Sequence, residues 1–315
     1  MKSNYSLFQG LLAWRTFSAA GLFLVAVTVN AANEERFTTT NDAIKAFIAA
    51  ASGKDTNALE TIFGPEVREL ISADAVQASN GLAHLSQRVT QRVAPVTQSD
   101  AFVGLELGYD GWPFPIALVK QGGQWFFDTT GGREEILNRR IGRNELDTIK
   151  VCHAYVQAQR EYAMETHDAS GVIEYAQNLR SSNGKHDGLY WHADAGEETS
   201  PLGPLIAESH GEGYSHTTKI MSEPQNPYHG YYFKVLTREG KHAPGGKYNY
   251  IINGHMVAGF ALVAWPAEWS NSGVMTFIIN QEGKVYERNL GPKTAEVVAK
   301  MSEYDPAPGW KPVSE

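Results

Sequence analysis

The stretch from Asp110 to Asn144, DGWPFPIALVKQGGQWFFDTTGGREEILNRRIGRN, constrains this chain more than any other. Its first half reads as strands broken by turn residues, with Gly122-Gly123 the sharpest hairpin signal in the sequence. Its second half turns on Gly131-Gly132 and opens a charged helical pattern at Arg133. A strand-rich region therefore closes here, and a helix leads into a second one.

Upstream, Thr38-Thr39-Thr40-Asn41-Asp42 offers capping side chains to a helix with Ile44, Phe47, Ile48 and Ala51 on one apolar face. Thr56 caps a short helix with Leu59, Ile62 and Phe63 inward, and Gly64-Pro65 stops it. A helical stretch from Pro65 to Ala73 precedes a longer polar one from Asp74 to Arg92. Beyond Pro95 the pattern changes to three strands, Phe102 to Leu107, Ile116 to Lys120 and Trp125 to Asp128. Helices first and an antiparallel sheet second is an α+β arrangement. The order of these phrases resembles the cystatin-like cone of the nuclear-transport-factor-two superfamily. That resemblance implies a curved sheet wrapped on a helix, often around a pocket that enzymes, binding modules and dimers all use.

The remainder reads as a second α+β unit. Helix is expected from Arg133 to Tyr162, interrupted at Gly142 and capped again by Asn144, with Leu146, Ile149, His153, Val156 and Ala163 on one stripe. A loop-rich region runs from His167 to Tyr228. Strands are expected at Tyr231 to Leu236, Phe260 to Trp265 and Val274 to Ile279, with a terminal hairpin through Lys284 to Arg288. Helix, variable loop, then antiparallel sheet is similar in order to a type IV pilin head. A pilin fuses its apolar N-terminal helix to that head, whereas a whole domain intervenes here, so pilus assembly is not implied. The expected division is a signal peptide at 1–32, a cystatin-like domain at 37–130, a junction at 131–144 and a pilin-head-like domain at 145–315.

Four phrases together resemble one bacterial family, catalogued as domain of unknown function 2950. They are DGWPFPIALVK, GREEILNRRIGRNE, DGLYW with SPLGPLI, and YHGYYFKVL with GFALVAWPAEW. The resemblance covers nearly the whole mature chain. It implies an exported bacterial protein and carries over no catalytic residue.

Compartment follows from the N-terminus. Lys2 and Arg15 precede an apolar run, Phe17 to Val29, and small residues follow it. That is the pattern of a secretory signal peptide, with cleavage expected after Ala31 or Ala32 and a periplasmic or secreted product. Thirteen residues span only about 20 Å as a helix, short of a hydrocarbon core of about 30 Å. An uncleaved anchor is the rival reading. No stable membrane span is expected after cleavage. Removing Lys2 and Arg15 takes the 27 basic side chains to 25 against 35 acidic ones, and the net charge from −8 to −10. Phosphate backbones are recognised by clustered Lys and Arg, so nucleic acid is not an expected partner. Cys152, the only cysteine, makes no internal disulfide and reads as a small buried apolar residue.

No chemistry announces itself by motif. Nine of ten histidines follow residue 150, yet there is no HExxH and no HxH, and His210 and His216 flank a loose loop. Asp168 to Glu174 has a half-loop look for calcium but lacks the paired early acids and twelve-residue length, so Asp168 reads as a cap for a helix from Val172 to Leu179. Neither GxSxG nor SxxK occurs in a strand-turn-helix setting, and nucleotide-binding glycine loops are absent from the sequence. The reading therefore assigns no catalytic, cofactor or metal residue. Aromatics including Tyr190, Trp191 and Trp310 could line a sugar or peptide groove, with core packing the default at strand positions. The candidate contact surface is Trp112, Pro113 and Phe114, the basic residues Arg139, Arg140 and Arg143, and Tyr190 with Trp191. For the Trp112 cluster the alternative is a rigid corner sealing two domains, and for the arginines it is charge pairing across the junction. The expected function is an exported binding or scaffolding protein for a small molecule or envelope protein, acting through an N-terminal pocket or the interdomain surface. The alternative is a cell-envelope hydrolase with scattered catalytic residues.

Overall fold

The computed structural model describes residues 34–193, 199–214 and 227–314, so the apolar run, the cleavage point and His216 lie outside it. The first helix, α1 (Thr40–Ser52), starts where the Thr39 side chain accepts the Asp42 N–H, and it buries Ala43, Phe47, Ala50 and Ala51. Asp55, rather than Thr56, caps α2 (Thr56–Phe63), which buries Leu59, Ile62 and Phe63. A 3₁₀ turn (Pro65–Leu70) leads to α3 (Ala75–Gln91), capped by Asp74.

An antiparallel sheet follows: β1 (Val93–Ser99), β2 (Phe102–Leu107), β3 (Trp112–Pro113), β4 (Leu118–Gln121) and β5 (Gln124–Phe127). Its order is β1-β2-β4-β5, with β3 also on β2. β2 alternates half-buried and buried residues along its length, as a strand with one face on a core should. β1 was not expected. Pro95 and a run of exposed residues hide an edge strand from pattern reading. Phe47, Phe63, Phe114 and Phe127 fill the space between helices and sheet, with ring centroids 4.9 to 5.9 Å apart. Full burial of Phe47, Phe63 and Phe127 contributes about 1.5–3 kcal/mol each, and the half-buried Phe114 less.

The long helix α4 (Thr129–Tyr162) corrects two expectations. Gly131 and Gly132 lie within its first turns, where Asp128 caps the Gly131 N–H. It also runs unbroken through Gly142, so residues 131–144 belong to one helix. A glycine costs a helix about 1 kcal/mol, and ties on either side offset that. Thr129 Oγ1 donates to Phe63 O at 2.7 Å, and Arg133 pairs with Glu69 at 2.6 Å. The buried stripe further on is Val151, Cys152, Tyr155, Val156 and Tyr162, while Leu146 is exposed. Polar Asn144, Thr148 and Gln159 share that buried face and disguise it in the sequence. Gln159 is satisfied there by Tyr155 and by both backbone groups of Ala176.

Short parallel strands β6 (Asn178–Arg180) and β7 (Gly188–Tyr190) come next, then α5 (Gly203–Gly211). The expected helix from Val172 to Leu179 is not formed: residues 172–176 are irregular and Asn178 begins β6. β8 (Tyr231–Leu236), β9 (Arg238–Glu239), β10 (Tyr248–Asn249), β11 (Ile251–Ile252) and β12 (His255–Met256) precede β13 (Ala261–Pro266), β14 (Thr276–Asn280) and β15 (Tyr286–Arg288). The short α6 (Thr294–Ala299), β16 (Glu303–Tyr304) and β17 (Lys311–Pro312) end the chain. The main antiparallel sheet has the order β17-β15-β14-β13-β8. Unbroken burial along β14 and most of β13 means both faces are covered. α4 packs on β13 and β14, and α6 and β16 also contact β13. The fold is α+β, with one hydrophobic cluster from Phe37 to Phe127 and another from Val151 to Tyr304. Residues 33–315 nonetheless form one compact unit.

Candidate functional site

The residues singled out from the sequence fall in separate places. Trp112 lies between two guanidinium groups, Arg88 at 5.3 Å and Arg139 at 5.2 Å. Arg139 also donates to Pro113 O at 2.8 Å and pairs with Glu135 at 2.6 Å, while the Phe114 ring joins the phenylalanine cluster. Arg140 is half-buried and donates to Asn271 Oδ1 and Leu70 O; burial lowers its pKa. Arg143 is exposed. Tyr190 is half-buried and Trp191 buried, with the His186 ring stacked on Trp191 at 4.1 Å. Trp112, Pro113, Phe114 and Arg139 are thus brought together, while Arg140 bonds to Asn271 and Leu70 and Trp191 packs on His186.

Of the aromatics named from the sequence, Trp310 lines an open groove of about 270 Å³ beside the C-terminal segment, whose other residues sequence reasoning passed over. Ile278 of β14 lies at its base, and Lys300, Ser302, Glu303, Asp305 and Trp310 line it. The wall exists because β16 pairs in parallel with β9 while β17 pairs with β15, which stretches residues 305–310 across the gap. Its carboxylates are oriented by neighbours: Glu303 by Lys247 at 3.1 Å and Arg238 at 3.9 Å, Asp305 by His242 Nδ1 at 3.0 Å. β9 is itself fixed by the buried Glu239, whose Oε1 accepts from Tyr250, Asn280 and Gln281. No motif could have revealed this groove, because its residues come from short segments between 278 and 310.

A second cluster forms where α3, α4, α5 and the turn before β8 meet. Asp74 is almost fully buried; its Oδ1 caps Val76 and Gln77, and its Oδ2 accepts from Tyr214 Oη at 2.7 Å and Gly230 N at 3.2 Å. His229 takes the left-handed φ of 48° in a tight turn closed by Tyr228 and Tyr231. Gly230 follows at φ 73°, and a Cβ there would meet Asn144 Nδ2 at 2.6 Å. The turn aims the His229 ring between two carboxylates, Glu212 Oε2 at 3.1 Å from Nε2 and Asp147 Oδ2 at 3.8 Å from Nδ1. Burial raises the Glu212 pKa, against the opposing pull of His229. Burial likewise raises the pKa of Tyr214 and Tyr228. Such a ring can pass a proton between two carboxyl groups.

Cys152 is fully buried, and burial pushes its thiol up to about 12, as an inert core residue. Among the described residues, one group has the donor types of a metal centre: Asp168, Glu174 and His255, whose ligand atoms lie within 4.8 Å of one another.

No curated protein and no solved structure matches the chain. A family model does match, over residues 34–313, and so spans both hydrophobic clusters, the groove and the His229 turn. The chain belongs to the family described as protein of unknown function DUF2950.

Proposed function

We propose that this is an exported periplasmic binding or scaffolding protein that holds a saccharide of the cell envelope in the groove beside its C-terminal segment. The observation that carries this reading is the lining itself, an indole with the apolar Ile278 and Met301 beside one hydroxyl, two carboxylates and one ammonium. An aromatic face packs on the C–H face of a sugar, and convergent polar groups fix its hydroxyls. Glu303 held by Lys247 and Arg238, and Asp305 held by His242 Nδ1, are oriented acceptors for ligand hydroxyls, and Lys300 adds a donor. A volume of about 270 Å³ lies near the lower end of small-molecule sites, about 300 Å³, and suits one ring of a longer chain. Export is supported by Lys2, Arg15, the apolar run to Val29 and the small residues Ala31 and Ala32.

Within this reading the first lobe is cystatin-like, supported by α1 and α2 packed on an antiparallel sheet, and the second is pilin-head-like, supported by α4 against the sheet ending in β15 and β17. The phenylalanine rings occupy the space a cystatin-like pocket would need, so binding is assigned to the second lobe. A glycan array of envelope saccharides probed with the mature chain tests the proposal, followed by calorimetry on the best ligand. Trp310→Ala should weaken that ligand at least about tenfold, or 1.4 kcal/mol. Absence of saccharide binding, or binding indifferent to Trp310→Ala, would overturn it. One observation favours the hydrolase reading, the His229 ring between Asp147 and Glu212. Turnover of an envelope substrate that disappears in His229→Asn, a residue that tolerates the left-handed turn, would establish that alternative.

A further inference from the structure

We infer that Asp168, Glu174 and His255 form a binding site for a divalent transition-metal ion. The three side chains supply one imidazole nitrogen and two carboxylate oxygens within 4.8 Å of one another. They come from two segments 81 residues apart, His255 Nδ1 lying 3.0 Å from Glu174 Oε1.

Each donor is aimed by a bond that leaves a ligating atom in the cluster. Glu174 Oε2 accepts the Met256 N–H at 2.9 Å, which leaves Oε1 toward His255. Asp168 Oδ1 accepts from Ser170 N at 2.8 Å and Ser170 Oγ at 2.5 Å, which leaves Oδ2. His255 follows the tight turn between β11 and β12, where Asn253 and Gly254 take φ of 51° and 90°. Tyr175 N to Met256 O at 2.8 Å and Gln177 Nε2 to Gly254 O at 2.7 Å tie the Glu174 segment to that turn. The same ties explain why this segment is not helical.

The donor set selects the ion. Calcium and magnesium take oxygen ligands, whereas an imidazole beside carboxylates suits zinc, manganese or iron and leaves positions open for water. Tetrahedral bonds of about 2.1 Å place donors about 3.4 Å apart, so the exposed Asp168 carboxylate closes on the other two donors when the ion binds. For a neutral imidazole the Nδ1 proton moves to Nε2 and the Nδ1 lone pair meets the ion, with no net proton released. An imidazolium would release one proton.

The test uses untagged full-length chain stripped with chelator and titrated with zinc by calorimetry, with cobalt as an optical probe. One equivalent should bind, with visible d–d absorption for cobalt. Asp168→Asn, Glu174→Gln and His255→Gln should each weaken zinc by at least about tenfold, while His242→Gln leaves it unchanged. Asp168 is exposed, so its variant keeps the test decisive even if the other two fold poorly. No stoichiometric binding, zinc binding indifferent to Asp168→Asn, or binding of calcium in preference to zinc would each overturn the inference.

Discussion

Replacing Asp74 by alanine should destabilise the fold far more than an ordinary loop residue would. Its Oδ1 satisfies the Val76 and Gln77 N–H groups at 3.0 and 3.1 Å, a cap worth about 1 kcal/mol. Its Oδ2 receives Tyr214 Oη and Gly230 N, and a buried donor deprived of its acceptor costs about 1–3 kcal/mol. Together these give a loss of about 3–7 kcal/mol, a large share of the roughly 5–15 kcal/mol a domain possesses. Asp74→Asn keeps the Oδ1 cap but sets an amide donor toward the Gly230 N–H, for a loss of about 1–2 kcal/mol. Urea unfolding followed by far-UV circular dichroism at pH 7 measures both. A cycle with Tyr214→Phe should show coupling of at least about 0.5 kcal/mol, since the two groups share one bond. A loss below about 1 kcal/mol for Asp74→Ala, or strict additivity with Tyr214→Phe, would refute this account of the junction.

Two further outcomes follow from the packing. Arg139→Ala removes a guanidinium from the Trp112 ring, an ion pair to Glu135 and a bond to Pro113 O, and should cost about 1–2 kcal/mol in thermal unfolding. Equal melting of Arg139→Ala and wild type would make the corner an incidental contact. Cys152 should resist alkylation at pH 8 in the native state and react fully in guanidinium. Its folded pKa of about 12 exceeds the unfolded value of about 8.5, so the native state retains the proton as the unfolded state loses it. Stability should therefore fall as pH rises from about 8.5 toward 12, by up to about 1.4 kcal/mol per unit from this thiol. Cys152→Ala should make that alkaline decline shallower, and an unchanged slope would assign it wholly to the buried tyrosines.

What pattern reading could reach depended on how locally each element is determined. Phe102 to Leu107 and Tyr231 to Leu236 were found to the residue because apolar and aromatic side chains there answer to one sheet. Asp74 to Arg92 was found because an Asx cap and helical composition are local signals. The second half of α4 misled because Asn144, Thr148 and Gln159 are buried by distant partners, Ser272 O and Ala176 among them. Val172 to Leu179 looked helical until the long-range ties of Glu174 to Met256 and His255 are counted. The groove and the Asp168 cluster share that cause. Their residues meet only through strand pairing that no spacing rule encodes.

The continuity of α4 also limits how this chain can vary over evolutionary time. An inserted or deleted residue near Gly142 would rotate everything beyond it by about 100° and shift it by 1.5 Å. Asn144 would leave Ser272 and Gln77, and Cys152 and Tyr155 would swing off the sheet, while Thr129 stayed bound to Phe63. Two whole turns of about seven residues would restore the facing but move the far half by about 10.5 Å, so length changes are tolerable in the surface loops and not within α4. Relatives should differ in side chains along this helix and agree in its residue count.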